Sequence, residues 1–265
     1  MGWIPTGNRH TCCYCLEYEE NDTLIIFDAG TGLARLDEPW GKELLARCSK
    51  VILLLSHYHM DHVAGLSYLP YFFRGKEFHI AGPGQSIYGK SAREIICNLI
   101  SPPYYGRSLS DFPMDLEIHD LGVGATTIGG VNIETILQAH PNPSIGIKVE
   151  NHVCYITDTP CTEATTQFAT GTRLLMHETW LDTAGFKELI GKGKATPAAL
   201  SILNSHSAVQ NVAGIATAAG VKSLLLIHLN PAYNEERLGA MEQAARYGFP
   251  HSRLAKDGES VSLTC

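Results

Sequence analysis

With 265 residues, 45% of them hydrophobic and 18% charged, the chain has the make-up of an ordinary globular protein, long enough to bury a sizeable core. A net charge of -7 and a pI of about 5.9 oppose a broad basic surface for nucleic acid. No apolar run has the length of a membrane helix, and the start Met1-Gly2-Trp3-Ile4-Pro5 lacks the basic and apolar regions of a signal peptide, so the cytoplasm is the expected compartment and no membrane partner is expected.

In chain order, residues 23–28 (TLIIFD) read as a strand, followed by the turn Ala29-Gly30-Thr31-Gly32. Residues 41–48 read as a helix and 51–55 as a fully buried strand. A helix begins at Asp61, which is placed to start it. Residues 78–81 form a short strand before Gly82-Pro83-Gly84, and 91–100 a helix stopped by Pro102-Pro103. Strands follow at 131–137, 144–149 and 153–157, with Asn151-His152 turning between the last two, and another at 173–176. Residues 207–219 make an Ala-rich helix closed by Gly220, 223–227 a strand, and 234–247 an amphipathic helix. No linker, repeat or low-complexity segment interrupts the pattern, so a single domain over residues 1–265 is expected.

The 8 cysteines suggest no disulfide framework; Cys48, Cys97, Cys154 and Cys161 read as small reduced core residues. Cys12, Cys13 and Cys15 cluster near the N-terminus. Buried strand cysteines are the preferred reading, while an extra zinc there would need a fourth ligand such as His10.

The chemistry concentrates in Ser56-His57-Tyr58-His59-Met60-Asp61-His62, an H-x-H-x-D-H stretch leaving the strand at 51–55. Imidazole and carboxylate together suit zinc and its first-row neighbours. Further candidates close later apolar runs: His140 after Thr135-Ile136-Leu137, Asp158 after Val153-Cys154-Tyr155-Ile156, and His228 after Leu224-Leu225-Leu226-Ile227.

H-x-H-x-D-H, a lone His, a lone Asp and a final His, each at a strand end, resemble the metallo-β-lactamase superfamily over residues 23–230. The resemblance implies an α/β fold, a four-layer αβ/βα sandwich with metals held by loops at one sheet edge. It implies that His57, His59 and His140 bind one metal, that Asp61, His62 and His228 bind a second, and that Asp158 bridges them. The expected cofactors are two divalent ions, zinc first, with manganese or iron as alternatives. Two such ions can share a bridging water and lower its pKa towards neutrality. Asp28 stands where the family places a carboxylate that orients the metal loop; a turn residue capping Gly30 is the equal alternative. The family also has a strand before the Gly-rich turn, whereas only Met1 to Ile4 precede Pro5-Thr6-Gly7, so either a trimmed start or a short strand is expected.

Leu174-Leu175-Met176-His177-Glu178-Thr179 resembles the H-E-A-T segment of ribonuclease Z and its phosphodiesterase relatives, and Ser205-His206-Ser207-Ala208, opening a helix, resembles their G-H-S-T segment. The resemblance implies that Glu178 orients His206 and that His206 gives a proton to the leaving alkoxide; a solvated helix-start residue is the plain alternative for His206. His177 reads as a hydrogen-bonded strand histidine rather than a ligand. Asp61, Glu178 and His206 form the expected catalytic set. Only 18 positions separate His140 from Asp158, too few for the arm with which ribonuclease Z grips tRNA. The expected substrate is therefore a small or cyclic phosphodiester, and tRNA is not expected. Ser101-Pro102-Pro103-Tyr104-Tyr105-Gly106-Arg107 either walls the site, with aromatics for a base and Arg107 for a phosphate, or simply covers a sheet edge. The competing readings are a lactonase or thioesterase, a β-lactamase (opposed by Asp158 where those enzymes generally carry Cys), ribonuclease Z-like RNA processing, and a catalytically dead binding module. The composition permits a homodimer without indicating one.

Overall fold

The computed structural model describes residues 1–6, 9–18, 22–191 and 196–263. The chain divides into two compact units, Arg9–Asn132 and Met1–Asn8 with Ile133–Cys265.

In the unit Arg9–Asn132, strands β1 (Tyr14–Tyr18), β2 (Thr23–Phe27), β3 (Lys50–Leu54), β4 (Glu77–Pro83) and β5 (Asp115–Leu121) form a sheet in that spatial order. β1 is antiparallel to β2, and β2 to β5 are parallel. β2 is buried at every position and β3 from Val51 onward. This explains why both read as continuous apolar runs rather than alternating ones. Leu24, Ile26, Val51, Leu53, Phe78 and Ile80 pack with Leu33, Leu44, Phe73 and Ile96 in one apolar core. The helices are α1 (Pro39–Arg47), the single turns α2 (Met60–Val63), α3 (Leu69–Phe72) and α4 (Gln85–Tyr88), and α5 (Ala92–Leu99). The start of α5 is fixed by a capping box, with Ser91 Oγ accepting from the Glu94 N–H at 3.2 Å and Glu94 Oε2 accepting from the Ser91 N–H at 2.9 Å. A short strand, β6 (Gly124–Ile128), closes this part of the chain.

In the other unit, β7 (Val131–Gln138), β8 (Ser144–Val149) and β9 (Val153–Ile156) form an antiparallel meander. β9, β10 (Leu174–Glu178), β11 (Ser223–Ile227) and β12 (Ser252–Leu254) then run parallel in the spatial order β12-β11-β10-β9. The helices are α6 (Glu163–Ala169), α7 (Thr183–Gly191), α8 (Pro197–Ser205), α9 (Val209–Ala219) and α10 (Glu235–Gly248). Val209, Val212 and Ala216 of α9 and Leu238 and Met241 of α10 share a core with Leu175, Leu224 and Leu226. Gly220 closes α9 in the left-handed conformation, and Asn234 caps α10 by accepting from the Arg237 N–H at 2.9 Å.

Several expectations change. The strand ahead of the Gly-rich turn is β1, not residues 1–4; of the residues in that reading, Gly7 lies outside those described. Cys15 lies on β1 and is exposed, whereas Cys12 is buried just before it. Among the described residues, no group of three close ligand atoms contains two of Cys12, Cys13 and Cys15. The helix starting at Asp61 has His59 at its N-cap. His206 does not open a helix: it is the C-cap of α8, in extended backbone, and α9 begins at Val209. In the segment 101–107, Tyr104 is 82% exposed, while Tyr105 is tied down by a 3.0 Å bond from its hydroxyl to the Ser67 carbonyl.

Candidate metal centre and active site

Most of the candidate residues sit at the carboxyl ends of parallel strands, where the chain leaves a sheet and ligand sites of α/β sheets form, while His140 follows the antiparallel β7 and His206 caps α8. In the unit Arg9–Asn132, Asp28 follows β2 directly and the loop from Ser56 to His62 follows β3. The rings of His57 and His59 are 4.6 Å apart and those of His57 and His62 4.3 Å. His57 and His62 are fully buried, Asp61 is 9% exposed, and the intervening Met60 points outward.

Asp28 organises this loop. Its carboxylate accepts from the Ser56 N–H at 2.7 Å, the Ser56 hydroxyl at 2.8 Å and His62 Nδ1 at 2.6 Å. The Gly30 N–H goes instead to the Cys12 carbonyl at 2.7 Å, so the capping alternative for Asp28 is replaced by support of the loop. The bonding sets the tautomers. A carboxylate only accepts, so His62 carries its proton on Nδ1 and keeps a lone pair on Nε2, 3.2 Å from Asp61 Oδ2. The Ser56 hydroxyl spends its one proton on Asp28, so its contact with His57 Nδ1 at 3.0 Å is accepted from the ring, and His57 also keeps its lone pair on Nε2. This is the arrangement of a histidine ligand fixed from behind by a hydrogen-bond partner. Close packing requires Gly30 here: a Cβ would lie 2.3 Å from the Asp61 carbonyl and 2.4 Å from Thr11 Oγ1.

In the unit Met1–Asn8 with Ile133–Cys265, His140 lies beyond β7, Asp158 beyond β9, Glu178 at the end of β10 and His228 immediately after β11. His140 donates Nδ1–H to the Asn142 carbonyl at 2.8 Å, which leaves its Nε2 as a ligand atom 3.8 Å from Asp158 Oδ1. His228 Nε2 lies 3.4 Å from the other Asp158 oxygen. The Thr157 hydroxyl donates to Asp158 Oδ2 at 2.7 Å and Ser144 holds the Asp158 carbonyl at 3.0 Å. Glu178 is fully buried; Oε1 accepts from the Thr159 N–H at 2.8 Å and Oε2 from His206 Nδ1 at 2.9 Å, with His228 Nδ1 at 3.4 Å. Burial alone would raise the Glu178 carboxyl, but the charge and hydrogen bonds of His206, with help from His228, outweigh it and hold the group below its ordinary value. Ligand atoms of Asp158, His206 and His228 lie within 4.8 Å of one another.

Three of these residues, Asp28 (φ 58°), Asp158 (φ 50°) and His228 (φ 47°), occupy the left-handed region that ordinary side chains avoid. Such strain gathers where a side chain must leave a strand end in one direction. His177 is buried, gives Nδ1–H to the Glu178 carbonyl at 2.8 Å and has no hydrogen-bond partner for Nε2 among the described residues; burial lowers its pKa and keeps it neutral. It is a strand histidine, as expected.

Two features escaped the sequence reading. Trp180 stacks on His206 with ring centroids 4.6 Å apart and planes 15° from parallel. Its place two residues past Glu178 on the same strand end was the available signal. The segment carrying His206 is pinned by Ser207, whose hydroxyl donates to the Thr159 carbonyl at 2.7 Å and accepts from Cys161 at 3.2 Å. Burial pushes the Cys161 thiol up to about 12, so it serves as a donor and not as a thiolate.

A family model described as "Beta-lactamase superfamily domain" matches residues 23–229. Ribonuclease Z of Methanothermobacter thermautotrophicus is 35% identical over 122 residues, which is 46% of this chain and 34% of that protein. The chain spans about a third of the length of the curated relatives it matches in this way. Among solved structures, the metallo-β-lactamase fold protein YhfI from Bacillus subtilis superposes with a TM-score of 0.70 at 21% identity, covering 97% of this chain and 94% of that one. A diphosphatase from the PhnP family superposes with a TM-score of 0.62 at 15% identity, covering 96% and 85%. These likenesses show the expected metallo-β-lactamase fold. Among the described residues, no helix is long and apolar enough to cross a membrane.

Proposed function

The chain belongs to the β-lactamase superfamily domain family, and from that premise we propose that it is a metal-dependent hydrolase of small or cyclic phosphodiesters. The observation that carries this reading is the His206–Glu178 pair: an imidazole held at 2.9 Å by a buried carboxylate and stacked on Trp180, in the same unit as Asp158 and His228. A phosphodiester expels an alkoxide, and an oriented acid is worth about 10²- to 10⁴-fold on such a leaving group.

In this proposal His57, His59 and His140 would hold one divalent metal, Asp61, His62 and His228 would hold a second, and Asp158 would serve as a ligand to both. The donors fit: Nδ1 of His57, His62 and His140 is bonded from behind, so each presents Nε2, and nitrogen with carboxylate oxygen suits zinc, manganese or iron. When bound, such metals neutralise phosphate charge and acidify water. The chain's own residues do the rest. Asp28 keeps the loop ligands in one tautomer. Glu178 orients His206 through the 2.9 Å bond from its Nδ1. His206, with Nδ1–H on Glu178, carries the transferable proton on Nε2 and delivers it to the leaving oxygen.

RNA processing is the second reading, favoured by the relatives named ribonuclease Z. Against tRNA stands the span from His140 to Asp158, occupied by β8, β9 and a tight turn. The test is a panel of bis-aryl phosphate, 2′,3′- and 3′,5′-cyclic nucleotides, precursor tRNA, a lactone and a β-lactam. A small diester should be the best substrate. Faster turnover of the lactone or β-lactam refutes the phosphodiesterase reading, and accurate tRNA 3′-end cleavage replaces the small substrate with RNA.

A further inference from the structure

A second set of ligating side chains stands on β4 and β5, and it shares no residue with the seven ligands above. These strands run parallel with His79 opposite Glu117 and Ala81 opposite His119. Alternate residues of a strand share a face, so Glu77 and His79 project on the same side as Glu117 and His119. Nδ1 of His79 lies 3.0 Å from Nε2 of His119, and Glu117 Oε2 lies 3.6 Å from each of them. Neighbouring ligands of a tetrahedral zinc, with bonds of about 2.0–2.1 Å, stand roughly 3.3–3.4 Å apart. The three atoms therefore outline one face of such a tetrahedron, and a point about 2.0 Å from all three exists between them.

The protons are arranged to match. Nε2 of His79 contacts Glu77 Oε1 at 2.9 Å, and that carboxylate also meets Lys50 Nζ at 3.2 Å. An ion-paired carboxylate accepts, so His79 carries its proton on Nε2 and turns the lone pair of Nδ1 towards His119 and Glu117. A carboxylate behind a histidine is the usual support of a histidine ligand. Without a metal, His119 satisfies the 3.0 Å contact by donating Nε2–H to His79 Nδ1. With one, that proton moves through solvent to Nδ1 of the same ring, and both nitrogens face the ion. His79 is 6% exposed and His119 partly exposed, so the set has one anchored member and one that solvent reaches.

The geometry points to a divalent transition-metal site, zinc first, held by His79 Nδ1, His119 Nε2 and Glu117 with a fourth position for water. β5 is an edge strand of its sheet, so the ion ties that edge to its neighbour. The test is a zinc titration of chelator-stripped protein, with bound metal counted after gel filtration. His119→Ala should bind one zinc fewer per chain than the unaltered protein, and Glu117→Gln should weaken the same event by at least about 10-fold. Both side chains are accessible, and circular dichroism checks that each variant is folded. In the unaltered chain the ring-proton resonances of His79 and His119 should shift on adding zinc alone. His57→Ala, which acts on the other ligand set, leaves the difference of one ion in place, so failure of the two sites is separable. Equal zinc content and affinity in all forms, with unmoved His79 and His119 resonances, overturns the site.

Discussion

Replacing Asp28 probes how a residue outside the proposed metal ligands decides whether they can bind. Its buried carboxylate accepts three hydrogen bonds, from the Ser56 N–H, the Ser56 hydroxyl and His62 Nδ1. In Asp28→Ala the hydroxyl can turn elsewhere, but the main-chain and ring donors cannot. At about 1–3 kcal/mol per stranded donor, the loss is roughly 2–6 kcal/mol, a large part of a typical folding free energy of about 5–15 kcal/mol. Asp28→Asn is the sharper perturbation. Asn keeps the shape and tolerates the left-handed backbone at φ 58°. It brings only one acceptor arm, however. If that oxygen serves Ser56, the amide N–H₂ faces His62, which must move its proton to Nε2, the atom needed for a metal. The expected result is a modest stability loss of about 1–3 kcal/mol with metal affinity down about 10- to 100-fold. Urea unfolding of the metal-free protein measures the first, and zinc competition with a chromophoric chelator the second. An Asn variant that is folded and binds zinc as tightly as the unaltered chain refutes the tautomer reasoning.

The remaining predictions address other links. His206→Ala should keep its metal content but lose about 10²-fold or more on an alkyl diester and much less on an activated aryl ester, with Glu178→Gln following in milder form; an equal loss on every substrate contradicts proton donation. Asp158→Ala should lower both metal occupancies by elemental analysis, whereas His140→Ala should lower mainly one; parallel losses in the two variants contradict the bridging role. Asp182 sets a pH dependence of stability through Arg237 Nε and Nη2 at 2.6 and 2.9 Å and the Gly185 N–H at 2.7 Å. The Arg237 hydrogen bonds outweigh partial burial and hold its carboxyl below the ordinary value. Its contribution is therefore complete above the unfolded value of about 3.9 and fades as pH falls through the lower folded value. Asp182→Asn should cost about 1–3 kcal/mol at pH 7 and progressively less below about pH 4 in denaturant melts.

The strands that carry the site were legible because parallel strands buried throughout leave unbroken apolar runs, as in residues 23–27 and 51–54, and a polar residue closing such a run stands out. His140, Asp158 and His228 were proposed as site residues that way. β1 was legible only in part: a strand was read at its cysteines, but its burial alternates along Tyr14–Tyr18, over a stretch too short and too rich in cysteine and tyrosine to fix its bounds. β5 was missed because Asp115–Leu121 is an edge strand whose charged residues face solvent. The role of Asp28 could not be decided from sequence, since a turn cap and a loop support need the same residue; the partner of the Gly30 N–H decides it. The pairing of His79 with His119, 40 positions apart, depends on strand register, which no local pattern encodes.

The left-handed backbone at Asp28, Asp158 and His228 also shapes how the protein would evolve in the laboratory. Glycine adopts that conformation at no steric cost, whereas an L-residue there carries a penalty on the order of 1–2 kcal/mol. A library selected only for heat resistance should drift towards glycine at Asp158 and His228 and emerge as an inert scaffold, while Asp28, whose three hydrogen bonds outweigh the backbone penalty, should persist. A library selected for turnover should hold Asp158 and His228 against that drift and collect its stabilising changes elsewhere. The contrast between the two surviving pools would map where this fold gives up robustness in favour of chemistry.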